Sequence, residues 1–121
     1  MSNGYTPRIR PKILQGYTYK IETGCGSMFV TITHDDHGMF EVFASMGKNG
    51  QCGMAQIEAI CRCVSAGLRS GVSSSVFIKQ LLGVRCLNPT HDEGQDILSC
   101  SDAIAKIMEL DMKENSSKEI E

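Results

Sequence analysis

Alternating apolar and polar residues predict three β-strands in the first half of the chain. The alternation has a period of two in residues 17–22, 28–33 and 40–44, as in strands with one buried face. Glycine-containing segments at 24–26 and 35–38 separate them and indicate tight turns. Because the connections are short, the three strands are expected to form an antiparallel meander.

The second half of the chain shows helical spacing. One apolar stripe at intervals of three and four predicts a long helix that ends before Gly71. Its members are Met54, Ile57, Cys61, Val64 and Leu68. A short helix is predicted over residues 76–82 and a last one over 102–112, with a long polar loop between Cys86 and Cys100. The predicted fold class is therefore α+β: a small antiparallel sheet of about three strands, followed by three helices packed on one face.

Domain organisation follows from the same pattern. Residues 1–16 hold two prolines and basic residues without a clear period, which predicts an extended basic arm. Residues 17–112 form one folded domain, and residues 113–121 form a polar acidic tail. The arm and the tail have opposite charge, so they either meet between protomers of a homo-oligomer or are solvated separately.

Composition narrows the classes of function. Apolar content of 41% and charged content of 21% are typical of a globular domain, and the net charge is −2. The absence of Trp and the few aromatic residues argue against a nucleic-acid partner. No apolar run is long enough for a membrane span, and the N-terminus has no signal-peptide pattern. We therefore expect a cytoplasmic protein whose cysteines are reduced.

Four of the six cysteines lie in turns or at element ends. Thiolates of Cys25, Cys52, Cys86 and Cys100 could complete a tetrahedral zinc site if the loops converge. The alternative is four unrelated reduced thiols. Cys61 and Cys63 do not form a metal-binding pair, because residues two apart on a helix point about 200° apart.

The three histidines give weaker signals. His34 and His37 flank the predicted hairpin turn and are expected to be solvated. His91 lies between Cys86 and Cys100 and is either an alternative metal ligand or a surface residue.

A glycine-rich loop before the long helix could bind a phosphate through backbone N–H groups. The candidate residues are Gly47, Lys48, Gly50 and Gly53. The basic arm could add charge to this nucleotide site. The segment lacks the Ser or Thr that follows the lysine of a P-loop, so a structural connection that needs glycine geometry is the favoured explanation.

Cys100 lies at the start of the last predicted helix, where the helix dipole favours a thiolate. A reactive Cys100 would make the protein an enzyme. The sequence positions no base for it, so an enzymatic role is the weakest of the three hypotheses.

Six short segments follow one another in the order of the motifs of a known family: residues 23–26, 29–32, 41–43, 47–48, 80–86 and 99–104. Together they resemble the TSCPD domain, known as a C-terminal module of adenosylcobalamin-dependent ribonucleotide reductases. The domain is named after the motif Thr-Ser-Cys-Pro-Asp, which corresponds to residues 98–102 of this sequence. Here Leu98 stands in place of the Thr and Ser101 in place of the Pro. The reductase barrel and a C-terminal pair of cysteines are missing, so the resemblance implies a related, non-catalytic protein with an accessory or regulatory role.

The order of strands, helices and cysteines is also similar to that of iron–sulfur scaffold proteins. This similarity strengthens the expectation that Cys25, Cys52 and Cys100 approach one another. The first hypothesis is a homo-oligomeric TSCPD-domain protein that holds zinc through Cys25, Cys86 and Cys100, with Cys52 or His91 as a further ligand. The alternative is a module that captures a nucleotide or another phosphate-bearing molecule.

Overall fold

The computed structural model describes residues 6–47 and 51–120, with side chains described over 6–47 and 53–115. Its three long strands are β1 (Gln15–Thr23), β2 (Gly26–Asp35) and β3 (Gly38–Met46). They pair antiparallel in the order β1-β2-β3, with one register shift between Thr33 and His34. The predicted meander is confirmed.

Three helices follow, as predicted: α1 (Gln51–Arg69), α2 (Ser74–Leu81) and α3 (Cys100–Ile120). Ser73 caps α2 by accepting a hydrogen bond from the Ser75 N–H at 3.3 Å. The α+β fold class is thus confirmed. Helix α3 starts two residues earlier than the pattern suggested and continues beyond residue 112 into the acidic segment. Within residues 6–47 and 51–120, no helix is both long and apolar enough to cross a membrane.

The segment between Cys86 and Cys100 contains a hairpin that the sequence pattern did not predict. Strands β4 (Thr90–Asp92) and β5 (Gln95–Ile97) pair antiparallel. Glu93 and Gly94 make the turn with positive φ values of 47° and 83°. The hairpin packs beside β1, where the Asp92 carboxylate accepts the Glu22 backbone N–H at 3.0 Å.

The core lies between the sheet and the helices. The predicted α1 stripe is confirmed, since Ile57, Cys61, Val64 and Leu68 are all buried. They join apolar residues of β1, β2 and β3 and the buried face of α3. The fully buried apolar residues of the strands and α3 are Met28, Val30, Ile32, Phe40, Val42, Ile97, Ala103, Ile104, Ala105 and Met108.

The basic arm is docked on the domain. The Arg8 N–H donates to the Arg69 carbonyl at 2.7 Å, and Arg10 Nε pairs with Glu41 Oε2 at 2.9 Å. Glu41 is buried and also contacts the Arg69 side chain. Two arm cations, Arg8 and Arg10, are therefore engaged in contacts within the domain.

A buried carboxylate ties three segments together at the start of α3. Asp102 accepts the backbone N–H of Gly83 at 2.8 Å and that of Leu98 at 2.9 Å, and it pairs with Lys106 at 2.7 Å. Its side chain is 1% exposed. The end of α2, the end of the hairpin and the first turn of α3 are thereby held at one point.

Burial of the α1 stripe predicts that a charge there is not tolerated. Val64→Asp should destabilise the protein by several kcal/mol, because an unpaired buried carboxylate costs an amount comparable with a total stability of about 5–15 kcal/mol. The neighbouring Cys63 is exposed, so Cys63→Asp is the matched control. Thermal melts of both variants measure the difference, and equal melting temperatures would contradict the assignment of this face.

The Asp102 contacts predict a pH-dependent contribution to stability. Burial raises the pKa of Asp102, but the bonds from Leu98, Lys106 and Gly83 outweigh it, so that the pKa is lowered overall. The stabilisation of the fold by ionised Asp102 is fully present above about pH 4, which is close to the ordinary pKa of Asp. This stabilisation is lost as the pH falls through the lowered folded-state pKa.

Asp102→Asn should cost about 3 kcal/mol at pH 7, because a backbone donor and Lys106 lose their acceptor. The gap between the two proteins should begin to narrow as the pH falls below about 4 and should close as the pH passes the lowered folded-state pKa of Asp102. Denaturant titrations at pH 7 and at pH 3 measure it. Glu109→Gln is the control, because Glu109 on α3 has no hydrogen bond or ion pair among the described residues. Its free energy of unfolding should equal that of the wild type at both pH values. A difference between Asp102→Asn and the wild type that does not change with pH would contradict the account.

Candidate functional site

The Cys100 thiol lies at the N-terminus of α3, half-buried against the core. Its Sγ lies 3.7 Å from Thr23 Oγ1, at the end of β1. The start of α3 thus faces the turn between β1 and β2.

Cys25 lies in that turn and is exposed. Its backbone N–H donates to Thr23 Oγ1 at 3.1 Å, and the Thr23 hydroxyl donates to the Gly26 carbonyl at 2.8 Å. The Thr23 hydroxyl therefore contacts the residues that carry both thiols, Cys25 and Cys100.

Cys86 reaches the same region from the segment after α2. Its N–H donates to the Leu98 carbonyl at 3.0 Å, and its Sγ accepts the Asn88 N–H at 3.3 Å. The Asn88 backbone packs directly on the turn, since a Cβ at Gly24 would lie 1.5 Å from the Asn88 carbonyl oxygen. Glycine at position 24 is thus required for the Cys86 segment to lie against the turn that carries Cys25.

The surroundings of Cys100 shift the pKa of its thiol. Burial raises the pKa of the Cys100 thiol, the hydrogen bond with Thr23 lowers it, and the neighbouring Cys25 and Cys86 raise it further. The net pKa is raised, with burial as the largest cause, so the thiolate form of Cys100 is disfavoured in the chain without a cation.

The donor set suits a soft, thiophilic ion such as zinc. Within the described side chains, no three Cys, His, Asp or Glu groups are arranged to hold an ion as they stand. Zinc binding therefore requires side-chain rotation, for which the exposed Cys25 and Cys86 have room. A fourth donor must also be supplied.

The two candidates for that donor differ in position. Cys52 is in the first turn of α1, and its side chain is outside the described part of the structure. Gly47 lies five residues before Cys52 in the sequence. Its N–H donates to the Ser27 carbonyl at 3.2 Å, so β3 ends beside the start of β2, next to the Cys25 turn. His91 is on β4, where its Nδ1 lies 3.0 Å from Asp96 Oδ1.

Among the described residues, Gly47 of the glycine-rich loop and Arg8 of the basic arm lie at opposite ends of β3. Lys48 and Gly50 fall outside the described residues. Arg8 contacts Met39 at the start of β3, whereas Gly47 follows its end. Eight residue steps along a strand separate these ends by about 27 Å. Gly53 is in the first turn of α1, where a Cβ would meet open space.

A second polar cluster was missed by sequence reasoning. His34 is not solvated: its Nε2 lies 2.6 Å from Oδ2 of Asp111, a fully buried residue of α3. Tyr19 donates its hydroxyl to Asp111 Oδ1 at 2.5 Å, and burial together with Asp111 raises the pKa of Tyr19 well above its ordinary value. No local spacing connects β1, β2 and α3, so only the fold identifies this cluster. His37 is exposed as expected.

Comparison with known proteins gives one match. A family model described as the TSCPD domain matches residues 3–112. No curated protein and no solved structure matches the chain. The family match covers nearly the whole folded part, including the turn of Cys25, the segment of Cys86 and the start of α3 at Cys100. The resemblance seen in the sequence motifs is thus confirmed, and the chain belongs to the TSCPD domain family, a family related to ribonucleotide reductase.

Proposed function

We propose that this TSCPD-domain protein has a non-catalytic accessory or regulatory role and holds a structural zinc ion through Cys25, Cys86 and Cys100. The observation that carries the proposal is that three cysteine-bearing segments pack at one place: Thr23 Oγ1 contacts the Cys25 N–H and the Cys100 thiol, and the Cys86 segment lies on the Cys25 turn through Asn88 and Gly24. In addition, Cys25 and Cys86 each raise the pKa of Cys100.

The electrostatics of the cluster favour a cation. Burial and the neighbouring Cys25 and Cys86 disfavour the ionised form of Cys100, and a bound cation would offset this penalty. Zinc, when bound, would stabilise the thiolates and cross-link the β1–β2 turn, the segment after α2 and the start of α3. Binding would release protons, because the ligands coordinate as thiolates.

Asp102 positions two of the three thiols without contacting an ion. It fixes the first turn of α3, which carries Cys100, and it holds Leu98. The Leu98 carbonyl in turn accepts the Cys86 N–H. We propose Cys52 as the fourth ligand, since α1 begins at the end of the sheet that carries the Cys25 turn, with His91 as the competing candidate.

The surroundings of Cys100 support the absence of catalysis. Within the described part of the chain, its thiol has no histidine or carboxylate partner that could act as a base. A raised pKa also lowers the fraction of thiolate near neutral pH, which is the reactive form.

Protein purified without an affinity tag and supplied with zinc should contain about one ion per chain by elemental analysis. Cys25→Ser, Cys86→Ser and Cys100→Ser should each lose the ion, because thiolate ligands are removed. Cys63→Ser is the matched control, since Cys63 is exposed on α1 and should leave the ion in place. Comparing Cys52→Ser with His91→Gln identifies the fourth ligand.

Removal of the ion by a chelator should lower the melting temperature. A ligand at a hundred times its dissociation constant stabilises by about 2.7 kcal/mol, which corresponds to roughly 10 °C for a domain of this size. Stoichiometric zinc in the Cys100→Ser protein, or its absence from the wild type, would contradict the proposal.

A cavity of about 360 Å³ supports a second candidate, capture of a phosphate-bearing small molecule. It lies at the hairpin between β2 and β3 and is lined by Arg8, His34, His37 and the residues that begin α2. Its acidic groups are engaged: Asp35 pairs with Arg8 at 3.1 Å, and Asp111 accepts bonds from Tyr19 and His34. Arg8 is three-quarters buried and stacks on the Phe40 ring, so its guanidinium is fixed at the cavity.

Calorimetry at low salt with inorganic phosphate and with ribo-, deoxyribo- and cyclic nucleotides tests this candidate. Arg8→Gln should weaken binding about tenfold, because a charge-assisted hydrogen bond contributes about 1.5–3 kcal/mol. Lys48→Glu should leave the affinity unchanged if the cavity is the site. The reverse pattern would place the ligand at the glycine-rich loop, and no heat with any of these molecules would exclude both sites.

A further inference from the structure

The outer edge of β3 is closed by a side chain. The Ser65 hydroxyl of α1 accepts the Val42 N–H at 3.0 Å and donates to the Val42 carbonyl at 3.1 Å. α1 runs along this strand, so no further strand has access to the middle of this edge.

The outer edge of β1 is closed only at one end. The Glu22 N–H points away from β2, because it donates to Asp92 of β4. Backbone groups of alternate strand residues point to the same side, so those of Gly16, Thr18 and Lys20 also point outward. Within the described residues, these outward groups have no hydrogen-bond partner.

Such an edge is a template for another strand. Natural proteins usually block an edge with proline, a bulge, or a cover. β1 contains no proline, and its pairing with β2 is regular from Gln15 to Thr23. Lys20 is the only charged residue of the open stretch, and Thr18 at its centre is exposed.

The open stretch is self-complementary. A two-fold axis at Thr18 places Thr18 opposite the partner's Thr18 and Gly16 opposite the partner's Lys20, so no two like charges face each other. Tyr17 then lies opposite the partner's Tyr19, a favourable aromatic cross-strand pair. The whole stretch from Gly16 to Lys20 is used in each copy, whereas a longer foreign strand would run into Asp92 and β4.

We propose that the protein forms a two-fold symmetric dimer in which the two β1 strands pair antiparallel around Thr18. The two three-stranded sheets join into one sheet of six strands. Main-chain hydrogen bonds of the outward residues supply the contact, as in other complexes formed by strand addition. The dimer does not depend on zinc.

Analytical ultracentrifugation of the wild type, Thr18→Pro and Thr18→Val tests the proposal. Thr18→Pro removes the two central N–H donors and should raise the dimer dissociation constant at least about tenfold. Thr18→Val keeps the N–H and loses only the hydroxyl contact with Thr31, so it should dimerise as the wild type does. A monomeric wild type at several hundred micromolar, or equal dissociation of both variants, would overturn the proposal.

A cross-linking experiment covers the case in which Thr18→Pro does not fold. In a hydrogen-bonded antiparallel pair the Cα atoms are about 5.5 Å apart, within the range of about 4.4–6.8 Å that a disulfide spans. Under mild oxidation, T18C should therefore form a dimer linked through position 18, identified by peptide mass spectrometry. S45C, at an exposed position on β3, is the control and should not form the corresponding link. A dimeric T18C protein without that link would overturn the proposed interface.

Discussion

The buried carboxylate of Asp102 is the contact on which the arrangement of this molecule depends. It joins backbone donors at the end of α2 and at the end of the β4–β5 hairpin to the first turn of α3, with Lys106 balancing its charge. Without this acceptor, the Gly83 and Leu98 N–H groups would lose their hydrogen bonds to the carboxylate, and the Lys106 ammonium would lose its counter-charge while still donating to the Asp96 carbonyl. Because Cys100 begins α3 and Cys86 bonds to Leu98, the same contact sets the positions of two of the three thiols.

The sequence predicted the larger elements because each has a strong local period. Alternation identified the three long strands, and the stripe from Met54 to Leu68 identified α1 with its buried face. The β4–β5 hairpin was missed because strands of three residues are too short to show alternation. The extent of α3 was also missed, because its second half lacks the apolar spacing that marks a helix in a sequence.

Less of the candidate site could be predicted. The cysteines at turns and element ends suggested a shared centre, but the packing of the Cys86 segment on the Cys25 turn depends on a contact between distant segments, Gly24 against Asn88. The i,i+4 spacing of Asp102 and Lys106 is a signal that sequence reasoning could have used. Nothing local indicates that His34 pairs with Asp111, which is 77 residues away. The basic arm was interpreted as free charge, whereas Arg8 and Arg10 are engaged with the domain.

The central claim is that thiols from three segments hold one zinc ion. X-ray absorption at the zinc edge of the loaded, tag-free protein tests it most directly, because it measures the ligand type and the bond length at the metal. The account predicts at least three sulfur ligands at about 2.3 Å, with any nitrogen ligand at about 2.0–2.1 Å. A first shell made only of nitrogen and oxygen would contradict it.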